Sequence, residues 1–226
     1  MPGLGLDFDT VHFIGFMLGF VIGTTFHEFM HAYSALRLGD DTAARMGRIT
    51  LNPAAHFDPF GFFMGVMLAL GVPFALAWGR PVPVTPNALR FGRRGMAIVA
   101  VAGPLSNLAF ATALSIPYNF GATLITGDVR GVIYNMIFIN ILLFAFNLIP
   151  IPPLDGFNIS VGILPNAWVP VLEPIRTYSL PILLGAVFLL PFVGSRFLGI
   201  DLNVLGVALR PVVSLLSNVF FSSDLG

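Results

Sequence analysis

His27, Glu28 and His31 stand in the order H-E-x-x-H. In an α-helix, positions i and i+4 lie one above the other on the same face, so both imidazoles can hold one divalent metal ion. Glu28 sits about 100° further round the helix, close enough to take a proton from a water that the metal polarises. Zn²⁺, one ion per chain, suits this donor set. The bland alternative is two histidines and a glutamate hydrogen-bonding neighbouring helices. It fits the surroundings poorly, because the string lies within the apolar run 11–36. Ionisable groups in so apolar a helix are costly to keep, and a metal that pairs them removes much of that cost.

The helix that carries these residues belongs to an apolar chain. Of its 226 residues 56% are hydrophobic and 10% charged, and the mean hydropathy is +0.88. A soluble domain carries about 25% charged residues, so the composition predicts an all-α polytopic membrane protein in contact with the lipid bilayer. The net charge is zero, which gives no case for a nucleic-acid partner. There is no cysteine, so a metal must be held by histidine, carboxylate or carbonyl groups. The first nine residues contain Asp7 and Asp9 and no basic stretch, unlike a cleavable secretory leader.

Apolar runs occupy residues 11–36, 60–78, 96–118, 132–149, 180–193 and 204–221. Arg37, Arg45 and Arg48 follow the first, Arg80, Arg90, Arg93 and Arg94 follow the second, and Arg176 precedes the fifth. Basic loops stay in the cytoplasm, which puts the N-terminus outside. It also puts both ends of 60–78 on one side. That run, interrupted at Gly71-Val72-Pro73, then reads as a re-entrant or surface segment, leaving five full spans where hydropathy alone would give six. Residues 47–51 and 82–84 have strand-like composition. No stretch is large enough for a separate soluble domain, so 1–226 reads as one membrane-embedded domain with a core at 10–160 and accessory helices at 178–221.

A catalytic zinc takes three protein ligands and keeps one position open. Candidates for the third are Asp155, Glu173, His56, Asp58, Asp40 and Asp41. Asp40 and Asp41 follow His31 too closely and read as a helix-ending turn. Asp58 and Glu173 each precede a proline and read as turn residues. Asp155 closes the stretch 147–156, NLIPIPPLDG, where Pro150, Pro152 and Pro153 forbid a regular helix. Unwound backbone can turn a carboxylate into a bundle; capping of the next helix is the alternative. Parity favours Asp155. His27 and His31 lie near the cytoplasmic end of the first run, roughly 9–15 Å below the surface at 1.5 Å per residue. Asp155 follows the fourth. The two meet only if the crossings between them are even in number, as they are when 60–78 does not cross.

Together, His27–His31, the GPLSN string at 103–107 and the NLIPIPPLDG string at 147–156 resemble the motif set of the site-2 protease family of intramembrane zinc metalloproteases, in the family's order. The likeness is to minimal members without a PDZ insertion. It implies Zn²⁺ on His27, His31 and Asp155, Glu28 as general base, and hydrolysis of peptide bonds in or near transmembrane segments of protein or peptide substrates. It also implies a prokaryotic cytoplasmic membrane, with regulated proteolysis or clearance of signal-peptide remnants as the process. Asn107 and Asn147 match positions thought to serve substrate or transition state. Asn140 and Asn147, two helical turns apart, share one face, and interhelical hydrogen bonding is the plainer role for both; Gly103 and Asn107 allow close packing against a neighbouring helix. His56 reads as a structural or gate residue. The alternative function is a membrane metal-ion transporter or sensor using the same ligands.

Overall fold

The computed structural model describes residues 9–72, 75–121 and 125–221. Asp7 and Pro73, both used above, lie outside them. Among the described residues the chain is helical, with no strand. Helix α1 is Thr10–Arg37, α2 the single turn Thr42–Arg45, α3 Pro59–Ala69, α4 Arg93–Phe120, α5 Gly127–Asn147, α6 Asp155–Ile163 and α7 Val169–Thr177. Helix α8 spans Ser179–Leu198 and includes π-helical turns at Gly185–Leu189 and Gly194–Leu198, and α9 is Val204–Phe220.

Four helices, α1, α4, α5 and α8, are long and apolar enough to cross a membrane. The charge pattern led to five full spans. The helix expected as the fifth, α9, has 17 residues and rises only about 26 Å at 1.5 Å per residue. Its start is set late: Gly199 takes the left-handed conformation with φ +65°, and Asn203 Oδ1 accepts from Gly206 N at 2.8 Å.

The strand-like pieces form no sheet. Residues 82–84 are extended, but Pro81 and Pro83 have no N–H for a ladder, and the Val82 amide turns to Glu28 instead. Residues 47–51 pass through a turn at Gly47, where φ is +66°.

The segment between α1 and α4 begins and ends at one end of the bundle. Arg90 N donates to Leu38 O at 2.7 Å, and the Asp40 carboxylate accepts from Thr42 N at 3.0 Å and Thr85 N at 2.6 Å. Inside this segment α3 has 11 residues. From residue 75 the chain runs back along it, with the Trp78 ring 5.6 Å from that of Phe60.

Helix α1 packs against both α4 and α5, which also pack on each other. Glycines allow the approach. A Cβ at Gly15 would lie 2.6 Å from Val132 O, and one at Gly19 2.8 Å from Met136 Cα. Close backbones of this kind are how apolar helices associate where water gives no drive. Helix α6 lies against α4, and Arg93 fastens it by donating to Val161 O and Leu164 O at 2.6 and 3.0 Å.

Candidate metal centre

His27 and His31 project from one face of α1 toward α4. Each ring is held from behind at Nδ1. His27 Nδ1 lies 2.8 Å from Asn107 Oδ1, and His31 Nδ1 lies 2.8 Å from Val99 O. Gly103 makes room for both: a Cβ there would meet His31 Nε2, and would lie 2.5 Å from His31 Cε1 and 2.8 Å from His27 Cε1. Since Val99 stands four residues before Gly103, the bare backbone also opens the Val99 carbonyl to His31.

Asp155 arrives from the other side. The chain leaves α5 at Asn147, passes through Pro150, Pro152 and Pro153, and restarts as α6 with Asp155 as its first residue. Leu154 occupies the cap position and no side chain caps the helix, so the carboxylate is not spent on α6. Gly156 lets the new helix begin against the end of the old one, because a Cβ there would strike Leu148 O and Ile149 O.

Asp155 Oδ2 lies 3.1 Å from His27 Nε2 and 3.3 Å from His31 Nε2. The two Nε2 atoms are 2.9 Å apart. Both Nδ1 atoms face oxygen acceptors, so both carry the ring proton there and both Nε2 atoms present lone pairs. Asp155 Oδ2 is buried and receives no hydrogen bond. Three acceptors facing one another repel unless a cation lies among them. Ligand atoms about 2.0–2.2 Å from a tetrahedral zinc stand roughly 3.4 Å from each other, close to the separations observed. The residues present fit Zn²⁺.

Glu28 lies beside this trio, with Oε2 accepting from the Val82 amide at 2.8 Å. His27, Glu28, His31, Asn147 and Asp155 line one cavity of about 910 Å³. Its wall is mostly apolar, closed in part by Leu183, Leu184 and Phe188 of α8.

The rejected third-ligand candidates are engaged elsewhere. Asp41 pairs with Arg45 at 2.9 Å, Glu173 with Arg176 at 3.1 Å, and Asp58 caps α3 by accepting from Gly61 N at 2.7 Å. The buried carboxylate of Asp40 stays ionised to lower pH than usual: burial opposes this, but donors from Thr42 and Thr85 outweigh it. His56 is buried and donates from Nε2 to Thr50 O at 2.8 Å, while its carbonyl accepts from Arg80 N at 2.8 Å. It ties the loop before α3 to the extended segment at 79–84 and stands outside the His27–His31–Asp155 group. Asn107 stands behind His27, and Asn147 faces the cavity with Nδ2 donating to Leu143 O at 2.9 Å. Three further groups at the site are the Val82 amide, the Val99 carbonyl and Asn158, whose buried Oδ1 has no partner among the described residues. Only Asn158 left a signal in the sequence, lying one helical turn after Asp155.

The chain is 37% identical to the Bacillus subtilis protein YwhC over 152 residues, which is 64% of this chain and 67% of YwhC. It is 31% identical to the Mycobacterium tuberculosis protein Rip2 over 200 residues, 83% of this chain and 71% of Rip2. Both carry provisional zinc metalloprotease names. The chain belongs to the site-2 protease family of zinc metalloproteases. Rip2 of Mycolicibacterium smegmatis is 31% identical over 156 residues. No family model and no solved structure matches the chain. This protease is a membrane protein whose substrates are peptides or proteins and whose metal is Zn²⁺.

Proposed function

We propose that this zinc metalloprotease is an endopeptidase of the site-2 type, cutting membrane proteins in or near their transmembrane segments. His27, His31 and Asp155 hold the metal, and Glu28 is the general base. The observation that carries the reading is the convergence of two Nε2 atoms and Asp155 Oδ2, with Glu28 beside them, on the wall of a mostly apolar cavity.

Zinc, when bound, acts as a Lewis acid on the scissile carbonyl and makes a water acidic enough to attack near neutral pH. Glu28 takes the proton from that water and delivers it to the departing amine. The Val82 amide holds Oε2, so Oε1 is the oxygen that exchanges the proton. Asn147 Nδ2 keeps one hydrogen after its bond to Leu143 O, and donates it to the substrate carbonyl as negative charge builds there. Asn107 serves the substrate only through His27. Apolar residues across the cavity receive the unwound substrate and keep bulk water out, while His56 secures one edge of the opening.

The seven arginines from Arg37 to Arg94 support an orientation with the C-terminal end of α1 and the N-terminal end of α4 facing the cytoplasm and the Asp9 end outside, in a prokaryotic cytoplasmic membrane. The Leu38–Arg90 contact, which brings the two ends of 39–89 together at one end of the bundle, supports a re-entrant course for 60–78. α9 crosses as a fifth, thinner span. The whole chain is one domain: 10–160 carries the chemistry and 178–221 walls the cavity.

Replacing Glu28 with Gln and reconstituting the protein with a single-span substrate tests this. Cleavage is expected to fall by about 10²-fold or more, with zinc content unchanged. Undiminished cleavage overturns the mechanism, and zinc transport that survives the change favours a transporter.

A further inference from the structure

We propose that Asn140 is a positioning residue of the metal centre, acting through Asn107 to fix His27 with its proton on Nδ1 and its lone pair on Nε2. The inference rests on His27 being a zinc ligand.

The direction of every bond in the chain follows from backbone carbonyls, which can only accept. Asn140 Nδ2 donates to Gly19 O at 3.1 Å and to Met136 O at 2.8 Å. Both of its hydrogens are then used, and the amide is oriented with Oδ1 toward Asn107. There it accepts from Asn107 Nδ2 at 3.0 Å, while the second Asn107 hydrogen goes to Gly23 O at 3.0 Å. Asn107 Oδ1 is left facing His27 Nδ1 at 2.8 Å. Rotating either amide by half a turn would set oxygen against oxygen. Both asparagines are 0% exposed, so water cannot repair a reversed bond.

The site is shaped for this contact. A Cβ at Gly23 would strike Asn140 Oδ1, so glycine there is what admits the Asn140 side chain. His31 needs no such relay, because Val99 O fixes its tautomer in one step. His27 faces a side chain, and a side chain amide has no polarity of its own until something orients it. A tautomer with the proton on Nε2 would point a hydrogen at His31 and Asp155 and displace the metal. Partners of this kind hold a ligand in its binding form, and their loss weakens metal affinity about 10–100-fold.

The same interface supplies a control. Five residues earlier on α5, Asn135 Oδ1 lies 2.8 Å from His12 Nδ1. This asparagine–histidine bond also joins α5 to α1, but it does not reach the metal centre. If asparagines on α5 only join helices, Asn135→Leu and Asn140→Leu should behave alike.

The test uses the full chain in detergent. Zinc affinity is measured by competition with a chromophoric chelator, and the ring ¹⁵N shifts of the chain's four histidines are recorded without metal. Asn140→Leu is expected to weaken zinc binding by about tenfold or more and to give His27 a mixture of tautomers. Asn135→Leu is expected to leave both readouts as in the parent. Should Asn140→Leu not fold, Asn140→Ser, too short to reach Asn107, replaces it with the same expectation. Parental affinity with a pure Nδ1–H form of His27 in the position-140 variant overturns the proposal. So does an equal zinc loss in Asn135→Leu. His27→Ala separates the two readings: if it keeps full zinc affinity, the metal-site assignment itself fails.

Discussion

The Val82 amide donates to Glu28 Oε2 at 2.8 Å, fastening the extended segment between α3 and α4 to a carboxylate on α1. Pro81 and Pro83 flank Val82, so this is the only N–H that residues 81–83 possess. A hydrogen bond to a charged group contributes about 1.5–3 kcal/mol, enough to restrict Glu28 to one orientation. Val82→Pro removes the donor while keeping the segment extended. We expect kcat to fall about tenfold or more with zinc content unchanged; a parental kcat in single-turnover cleavage assays would count against a held base.

With Asp155 and the two Nε2 lone pairs as the proposed ligands, a bound cation stabilises the site, and its removal leaves acceptors that repel one another. A chelator should therefore lower the melting temperature of the parent protein. In Asp155→Asn, the new amide can donate to an imidazole, so the metal-free variant should melt above the metal-free parent while binding zinc far more weakly. Scanning calorimetry with and without chelator checks both parts. A metal-free variant that melts below the parent contradicts the repulsion argument.

Gly103→Ala adds one methyl group where both imidazoles lie. Overpacking of this kind costs about 1–3 kcal/mol, and the rings are the groups that must move. The expected result is a folded protein with markedly reduced zinc affinity, read by metal analysis after dialysis. Full zinc occupancy at parental stability would mean that α4 yields instead.

Asp40 connects acid stability to the segment between α1 and α4. Its carboxylate, wholly buried, has a pKa lowered from 3.8, burial opposing the shift and Thr42 and Thr85 donors outweighing it. A depressed native pKa stabilises the fold above the unfolded value, and that contribution disappears as pH falls through the native value. Asp40→Asn should melt lower than the parent at pH 7, because its amide opposes the Thr85 N–H, and the gap should narrow at the acid end. Melting curves from pH 7 downward test the sign: a gap that widens toward acid refutes it.

Since Arg90 N bonds to Leu38 O at 2.7 Å, residues 39–89 should lie on one side of the membrane apart from 60–78, proposed to be re-entrant. The chain has no cysteine, so single cysteines at the exposed positions Asn52 and Asn87 report cleanly. Both should react with an impermeant maleimide from the cytoplasmic side. Opposite accessibility would show that 60–78 crosses.

The parts of this protein whose physics is local are legible in its residues. His27, Glu28 and His31 share a helix, and helical periodicity alone brings their side chains together. Apolar composition made that helix membrane-embedded, and three prolines marked where the chain unwinds before Asp155. The rest depends on how the helices pack. The Val82 amide and the Val99 carbonyl are backbone groups, identical in kind at nearly every residue, so no residue type announces them. Asn107 and Asn140 were visible as polar residues in apolar runs, but whether such a residue faces a cavity, a lipid or a histidine depends on how each helix is rotated about its axis. Here that rotation is fixed by Gly15, Gly19, Gly23 and Gly103, which let α1, α4 and α5 approach closely enough for the amides to reach their partners. The length of α9 was likewise decided outside its own apolar run, by the turn at Gly199 and the cap at Asn203.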